Sequence, residues 1–273
     1  MSSLVQRLLT AAVLIPVVVW LVMFSPDMAF ISILSIIIII AAYEWGALSG
    51  LKSNFKKYVL AGVAVLLSHG LTVLSVDVTH YLMYTSLFFW SLVIVLIIVK
   101  PQFLLDVKIN QPLMLLLGII VVSLTFISLC QIRFGFVYGP DLLMYLLLLI
   151  WIADSGAFFA GRAFGKHKLS PIISPGKSIE GVVGGLLACL LFAFLGANHF
   201  GVESAASFIL ISVYIAFVSV FGDLFESLMK RRANVKDSGA ILPGHGGILD
   251  RIDSLIAAAP VFVACVLLTK MFS

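Results

Sequence analysis

Charged residues are scarce in this chain of 273 residues: Asp, Glu, Lys and Arg make up 11% of it, whereas apolar residues make up 62%. The mean hydropathy is +1.19. So few polar side chains cannot cover the surface of a water-soluble globule, and the apolar runs are longer than buried core helices need. The composition therefore excludes a soluble globular protein and predicts an all-α, polytopic membrane protein.

Cysteine pairs, repeats and long polar loops are also missing from the sequence. Cys130, Cys189 and Cys265 lie in apolar stretches without paired spacing, which predicts neither a disulfide nor a zinc site. No loop is long enough to fold as a separate soluble domain. We therefore expect a single transmembrane domain over residues 1–273.

Nine apolar segments of about 20 residues, the length that crosses a bilayer, can be counted along the chain. They cover roughly 6–25, 28–46, 58–76, 81–99, 112–131, 141–161, 181–199, 205–229 and 250–271. Arg7 precedes the first segment as in a signal peptide, but no small-x-small cleavage motif follows it. We therefore retain that segment as a helix.

The distribution of Lys and Arg tests this count independently. With nine spans, 15 of the 17 basic residues fall on the side of the N-terminus, and Arg133 and Lys270 fall on the other. Cytoplasmic loops carry such an excess of positive charge, so we predict a cytoplasmic N-terminus. The net charge of +4 lies in loops between apolar spans, which favours anionic headgroups or phosphorylated ligands over nucleic acid.

Polar residues within the sixth span form one face of the predicted helix. Asp154, Ala157, Phe158, Gly161 and Arg162 share that face, so the carboxylate and the guanidinium can point into one cavity. The structural alternative is an ion pair that only stabilises packing. Ionisable groups at membrane depth are costly and usually functional, which favours a binding role.

The loop after this span is basic and leads into a glycine-rich helix start. Ser174 is predicted to cap a helix that begins at Pro175, which would place Lys177 in the first turn beside free backbone N–H groups. Such a helix end attracts phosphate. The sequence Gly176-Lys177-Ser178 is not a nucleotide P-loop, because the upstream glycine is replaced by Pro171 and no strand is predicted before it.

A second polar segment begins near the end of the eighth span. Asp223, Glu226, Ser227 and Lys230 recur at helical spacing and form one polar stripe. The ninth helix is predicted to begin near Asp250, with Asp250, Asp253, Ser254 and Ala257 on one face. Taken singly, Asp250 can also be a helix-dipole charge and His245 a turn residue.

Aspartates that lie beside lysines and arginines suited to binding phosphate indicate a site for a divalent metal ion. Carboxylates alone repel polyphosphates, whereas a hard cation held by them bridges to phosphate oxygens, and Mg²⁺ fits best. The turn that includes His245, Gly246 and Gly247 supplies flexible backbone and N–H groups beside the acids.

Together these residues resemble a known family, the phosphatidate cytidylyltransferases or CDP-diacylglycerol synthases. The signature segment, residues 227–253, reads Ser227-x2-Lys230-Arg231-x4-Lys236-Asp237-x-Gly239-x2-Leu242-Pro243-x-His245-Gly246-Gly247-Ile248-x-Asp250-Arg251-Ile252-Asp253. The similarity extends to residues 154–162 and 174–181. The first five spans match only as hydrophobic helices, so we expect mainly scaffold helices in 1–131 and the catalytic helices and two cytoplasmic loops in 141–273.

The resemblance implies transfer of a cytidylyl group from CTP to phosphatidic acid, giving CDP-diacylglycerol and pyrophosphate. A phosphate monoester is already an anionic nucleophile, so the reaction needs charge neutralisation and alignment more than a catalytic triad. We expect Asp223, Asp250 and Asp253 to hold Mg²⁺, with a second cation permitted. The other expected catalytic residues are Lys230, Arg231, Lys236, Asp237 and Arg251, and the expected substrate-binding residues are Asp154, Arg162, Ser174, Lys177, Glu180, Glu226, Ser227, His245, Gly246 and Gly247.

Two other function classes compete with this interpretation. A proton- or cation-coupled carrier can use Asp154, Asp223 and Glu226 as a relay, but the charges cluster near one membrane face. A CDP-alcohol transferase would need an Asp-Gly-x-x-Ala-Arg core, which is absent.

We expect an integral protein of the plasma (inner) membrane with its active site facing the cytoplasm. Small residues on several spans permit a homodimer.

Overall fold

The computed structural model describes the backbone of residues 3–241 and 246–272, and the side chains of these ranges from residue 12 onward. The helices are α1 (Ser3–Met23), α2 (Asp27–Leu48), α3 (Asn54–Thr72), α4 (Val76–Val99), α5 (Pro101–Asp106), α6 (Gln111–Gly135), α7 (Gly139–Phe164), α8 (Ile179–Phe200), α9 (Ala205–Arg232), α10 (Leu249–Ile252) and α11 (Leu255–Thr269). The sheet in the described residues is one antiparallel hairpin of β1 (Lys168–Ser170) and β2 (Ser174–Ser178). The predicted all-α class is confirmed.

Seven segments of the described residues are long and apolar enough to cross a membrane. They are Asp27–Leu48, Val76–Val99, Gln111–Gly135, Gly139–Phe164, Ile179–Phe200, Ala205–Arg232 and Leu249–Thr269. The predicted first span coincides with α1, whose described apolar part, Ala12–Met23, is shorter than a span. The predicted third span, 58–76, overlaps α3, which covers the 19 residues Asn54–Thr72 and begins with polar residues. A polytopic membrane protein is confirmed, and the count of nine stays a prediction.

The last predicted helix is present with an interruption near its start. α10 ends at Ile252 and α11 begins at Leu255, with a turn at Asp253 and Ser254 between them. The 21 residues Leu249–Thr269 nevertheless form one span-length apolar segment.

The chain forms two compact units, and each takes residues from several parts of the sequence. The first unit draws on Met1–Thr79, Lys108–Met144 and Met229–Ile252. The second draws on His80–Val107, Tyr145–Leu228 and Asp253–Ser273.

In the first unit α2, α3 and α6 pack against one another through small residues. Ala42, Ala61 and Ala64 are buried together, with Tyr43 and Ile119 packed around them. Alanine side chains let helix backbones approach closely, which is how helices associate where lipid removes the hydrophobic driving force.

Trp45 sets the position of α2 against α6. The indole is 1% exposed, and its Nε1–H donates to the Met114 carbonyl at 2.8 Å. Gly118, one turn further along α6, leaves the space that the indole fills, since a Cβ there would overlap the Trp45 ring. The hydrogen bond and the missing side chain together determine which residues of α2 face α6.

In the second unit α7 and α8 approach closely at several glycines. A Cβ on Gly185 would lie 2.5 Å from the Ala153 carbonyl oxygen, and one on Gly156 would lie 3.0 Å from Gly185 Cα. The phenol of Tyr145 on α7 donates to Ser212 Oγ on α9 at 2.7 Å, so a buried hydroxyl also joins the helices.

The contact between Trp45 and Gly118 predicts the effect of one added methyl group. Gly118→Ala should lower the free energy of unfolding by about 1–3 kcal/mol, because the Cβ forces the indole to move in a packed interior. The measurement is thermal unfolding of the purified protein in detergent. Gly62→Ala is the matched control: it is also helical but has no atom within 4 Å of the added Cβ. Equal melting temperatures for the two variants would contradict the predicted role of Gly118.

Candidate functional site

The predicted site residues fall into two clusters, one in each unit. The acidic cluster of the second unit consists of Asp154, Lys177, Asp223 and Asp253. The loop cluster of the first unit consists of Glu44, Lys230, Ser238, Gly247 and Asp250. The three predicted metal ligands are therefore divided, with Asp250 in the first unit and Asp223 and Asp253 in the second.

Lys177 and Asp223 form an ion pair at the centre of the acidic cluster. Lys177 Nζ lies 2.7 Å from Asp223 Oδ2, and the side chains are 22% and 27% exposed. Lys177 also donates to the Val220 carbonyl at 3.2 Å, and the Ser227 hydroxyl donates to Asp223 Oδ1 at 3.2 Å. Residues that are 46 apart in sequence are thus fixed beside each other, with part of each charge still accessible.

Asp253 joins this cluster from the turn between α10 and α11. Asp223, Lys177 and Asp154 all interact electrostatically with its carboxylate. Gly222 permits the approach, because a Cβ there would lie 2.6 Å from the Asp253 carbonyl oxygen. Three carboxylates accompany one ammonium, so the cluster carries a formal charge of −2 when all four groups are ionised.

The hairpin that carries Lys177 replaces a predicted helix start. The expectation that Ser174 caps a helix from Pro175 is wrong: Ser174–Ser178 is strand β2, paired with β1. α8 begins at Ile179, and Ser178 is its N-cap, with the side chain accepting from the Gly181 N–H at 3.2 Å. Both serines suit a cap by residue type, but pairing with β1 holds the first in extended backbone.

Glu180, a predicted substrate ligand, fastens the start of the hairpin. Its carboxylate accepts hydrogen bonds from the backbone N–H groups of Lys166 and His167 at 3.1–3.2 Å. The ring of His167 lies 2.6 Å away, measured from Nδ1 to Glu180 Oε1. These partners already account for the position of the Glu180 carboxylate, so a contact between Glu180 and substrate stays a prediction.

The remaining predicted residues of the second unit differ in exposure. Arg162 is exposed on the last turn of α7, Ser174 is half-buried in β2, and Glu226 is fully buried on α9. An ion pair of Arg162 with Asp154 that only stabilises packing stays an alternative to a binding role for these two residues.

The carboxylate of Asp250 has hydrogen-bond donors on both of its oxygens. Lys230 Nζ lies 2.6 Å from Asp250 Oδ1, with side-chain exposures of 13% for the lysine and 6% for the aspartate. The other oxygen, Oδ2, accepts from the backbone N–H of Ser238 at 2.9 Å and from that of Gly247 at 2.8 Å. Gly246 has φ of +78°, a left-handed conformation that glycine adopts easily, and brings the chain back over Asp250.

Glu44 is a site residue that the sequence analysis missed. It lies in α2, 3% exposed, and its carboxylate accepts from the backbone N–H groups of Ile248 at 3.1 Å and Leu249 at 2.8 Å. The available signal was one acidic residue within an apolar run, which by itself indicates function. It was overlooked because the first five spans were interpreted as scaffold.

The other predicted residues of the signature segment are on the surface of the first unit. Arg231, Lys236, Asp237 and Arg251 have exposed side chains. His245 lies outside the described residues, and its predicted role is therefore not addressed by the structure.

The chemistry of the acidic cluster fits a hard divalent cation. Carboxylate oxygens are the ligands that Mg²⁺ prefers, and Asp223 and Asp253 supply them beside a single lysine. In residues 3–241 and 246–272, no group of three His, Cys, Asp or Glu side chains is arranged to hold a metal ion. Asp250 and Asp223 each have donors on both oxygens already, so an ion bound by either carboxylate would share it with Lys230 or with Lys177.

Comparison with known proteins shows similarity along nearly the whole chain. The profile of the Cytidylyltransferase family matches residues 5–269. The phosphatidate cytidylyltransferase of Haemophilus influenzae is 38% identical over 281 residues, covering 94% of this chain and 96% of the relative. That of Pseudomonas aeruginosa is 35% identical over 261 residues, covering 95% of each. That of Bacillus subtilis is 42% identical over 151 residues, covering 52% of this chain and 55% of the relative.

The observed cap of α8 predicts different effects for two nearby serines. Ser178→Ala should lower the free energy of unfolding by about 1 kcal/mol, because the N–H of Gly181 loses its acceptor. Ser174→Ala is the control and should change it by less than about 0.5 kcal/mol, because Ser174 lies in a strand. Thermal unfolding in detergent measures both. A larger decrease in the free energy of unfolding for Ser174→Ala than for Ser178→Ala would instead support Ser174 as the N-cap, as the sequence predicted.

Proposed function

The chain belongs to the cytidylyltransferase family, and we propose that it transfers the cytidylyl group of CTP to phosphatidic acid. The products are CDP-diacylglycerol, a precursor for phospholipid biosynthesis, and pyrophosphate. The observation that carries this proposal is identity of more than a third over nearly the full length of relatives that bear the name phosphatidate cytidylyltransferase. The resemblance of the signature segment agrees with it.

The reaction joins two anions. A phosphate oxygen of phosphatidic acid attacks the α-phosphorus of CTP, a new P–O bond forms, and the bond to the β-phosphate oxygen breaks. The electron pair of that bond leaves with pyrophosphate. The nucleophile is ionised at neutral pH, so the protein has to suppress repulsion, align the reactants and stabilise charge on the leaving group.

The acidic cluster is the proposed metal site. Asp223 and Asp253 would hold Mg²⁺, and Lys177, fixed by its ion pair with Asp223, places one positive charge beside them. When bound, the ion would neutralise phosphate oxygens and make the phosphorus more electrophilic. Asp250 stays in the predicted ligand set from the sequence alone.

The cations of the signature segment are proposed to bind the polyphosphate. Lys230 is held by Asp250 at 2.6 Å, so its position is determined before substrate arrives. The side chains of Arg231, Lys236 and Arg251 are exposed, so anions from solution can reach them. Preorganised and accessible charges together suit stabilisation of a leaving pyrophosphate.

The substrates also fit an integral membrane protein. The acyl chains of phosphatidic acid stay in the bilayer, whereas CTP is dissolved in the cytosol. We propose that the site faces the cytoplasm at the inner membrane, because 15 of the 17 basic residues are assigned to that side by the positive-inside rule.

Release of pyrophosphate tests the proposed function directly. Purified protein given labelled CTP, phosphatidic acid and Mg²⁺ should form labelled CDP-diacylglycerol and an equal amount of pyrophosphate. Omission of phosphatidic acid is the control and should abolish both products. A carrier or a CDP-alcohol transferase would release none, and that outcome would overturn the proposal.

Substitution in the acidic cluster tests the metal site. Asp223→Asn and Asp253→Asn should each lower kcat/KM by at least about 100-fold, because an amide is a weak ligand for Mg²⁺ and does not neutralise Lys177. Asp106→Asn, an exposed carboxylate on α5, should leave turnover unchanged. Gel filtration and binding of Mn²⁺, followed by electron paramagnetic resonance, separate misfolding from metal loss. Full activity of both cluster variants would refute the assignment.

A further inference from the structure

We propose that Glu44 is a positioning residue for cytidylyl transfer. From helix α2 its carboxylate holds the end of the signature segment and thereby sets the position of Asp250 and Lys230. The catalytic part of this inference rests on the function proposed above, whereas the structural part stands on contacts within the first unit.

The Glu44 carboxylate binds the segment through both of its oxygens. Oε1 accepts from the Ile248 N–H at 3.1 Å, and Oε2 accepts from the Leu249 N–H at 2.8 Å. The Ser238 hydroxyl oxygen lies 3.2 Å from Oε2. These groups are about 200 residues away along the chain, separated by 204 and 205 positions for the two N–H groups.

Burial makes these contacts necessary for Glu44. The residue is 3% exposed, and a buried carboxylate without donors is strongly unfavourable. The two backbone N–H groups point to separate oxygens, so the acceptor must offer two oxygens at once. An ionised carboxylate does so, whereas an amide offers one acceptor and one donor.

Two glycines of the signature segment leave space for Glu44. A Cβ on Gly239 would overlap Glu44 Oε1, and a Cβ on Gly247 would lie 2.5 Å from both carboxylate oxygens. Gly239 and Gly247 belong to the signature segment that carries the family resemblance. The need for glycine at both positions is explained by Glu44 on α2, a helix outside that segment.

Ser238 and Gly247 connect Glu44 to the Asp250–Lys230 pair. The Ser238 hydroxyl lies 2.8 Å from Asp250 Oδ2 as well as 3.2 Å from Glu44 Oε2, so its single proton can be donated to only one of them at a time. Gly247 packs against Glu44 and donates its N–H to Asp250. A change in Glu44 should therefore displace Asp250, whose other oxygen binds Lys230.

The neighbouring residue, Trp45, fixes the position of the α2 backbone at Glu44. Trp45 is bound to the Met114 carbonyl and fills the space beside Gly118. Because α2 is held against α6 at this point, Glu44 is presented by a packed helix and not by a mobile loop.

Hydrogen exchange of the signature segment tests the structural step. In Glu44→Gln one acceptor is replaced by an NH₂ group that faces an N–H donor. Exchange of the amides of Ile248 and Leu249 should then be about tenfold faster. Asp27→Asn is the matched control, the same chemical change on the exposed first turn of α2, and should leave these amides as in the wild type. Unchanged exchange in Glu44→Gln would overturn the inference.

Steady-state kinetics test the catalytic step. For Glu44→Gln the apparent KM for CTP should rise about tenfold and kcat should fall, because Lys230 and Asp250 no longer have a defined position. A purely structural role would reduce the amount of active enzyme, which lowers the rate but does not move KM. An unchanged KM with a lower rate would therefore overturn the positioning role.

A second variant guards against misfolding of the first. Gly239→Ala leaves every hydrogen-bonding group in place, but its Cβ would overlap Glu44 Oε1 and displace the carboxylate. It should therefore also speed amide exchange at Ile248 and Leu249 and raise the KM for CTP. Gly176→Ala, with no atom within 4 Å of the new Cβ, is its control. Wild-type protein without CTP-dependent pyrophosphate release would refute the proposed function, whereas normal exchange and normal KM in both variants would refute the role of Glu44.

Discussion

A carboxylate that leaves water must find its donors and counter-charges inside the protein, and this requirement organises the polar part of the molecule. Asp250 is bound by Lys230 and by two backbone N–H groups, and Asp223 by Lys177 and a serine hydroxyl. Ion pairs add little net stability, because desolvation opposes the attraction within a buried pair and solvent screens it in a partly exposed pair. We therefore interpret these pairs as devices that define geometry.

Glycines provide the space in which backbone groups can approach these acidic residues. Gly239 and Gly247 let the backbone reach Glu44, and Gly222 lets the turn at Asp253 approach the helix that carries Asp223. In each case the close approach is between backbone and an acidic residue. The glycines of this chain thus serve polar contacts as well as the helix packing for which membrane proteins commonly use them.

Some of the positive charges are held by carboxylates, and some lie on exposed side chains. Lys177 and Lys230 are held by carboxylates, and the side chains of Arg231, Lys236 and Arg251 are exposed. For a reaction between two phosphorylated molecules, fixed charges reduce the reorganisation needed at the moment of reaction, and accessible ones attract the anion. The same chain therefore supplies both kinds of charge from a small total content of ionisable residues.

The sequence by itself determined the membrane class, the seven long apolar segments, the signature segment and the family, because hydropathy and residue order are local properties. Only the tertiary structure decided which of two serines caps α8, since pairing with β1 competes with helix formation at Ser174. Only the tertiary structure brought Glu44 to Ile248 and Leu249, and Lys177 to Asp223. Those contacts depend on helix packing between residues far apart in the chain, which neither spacing nor periodicity contains.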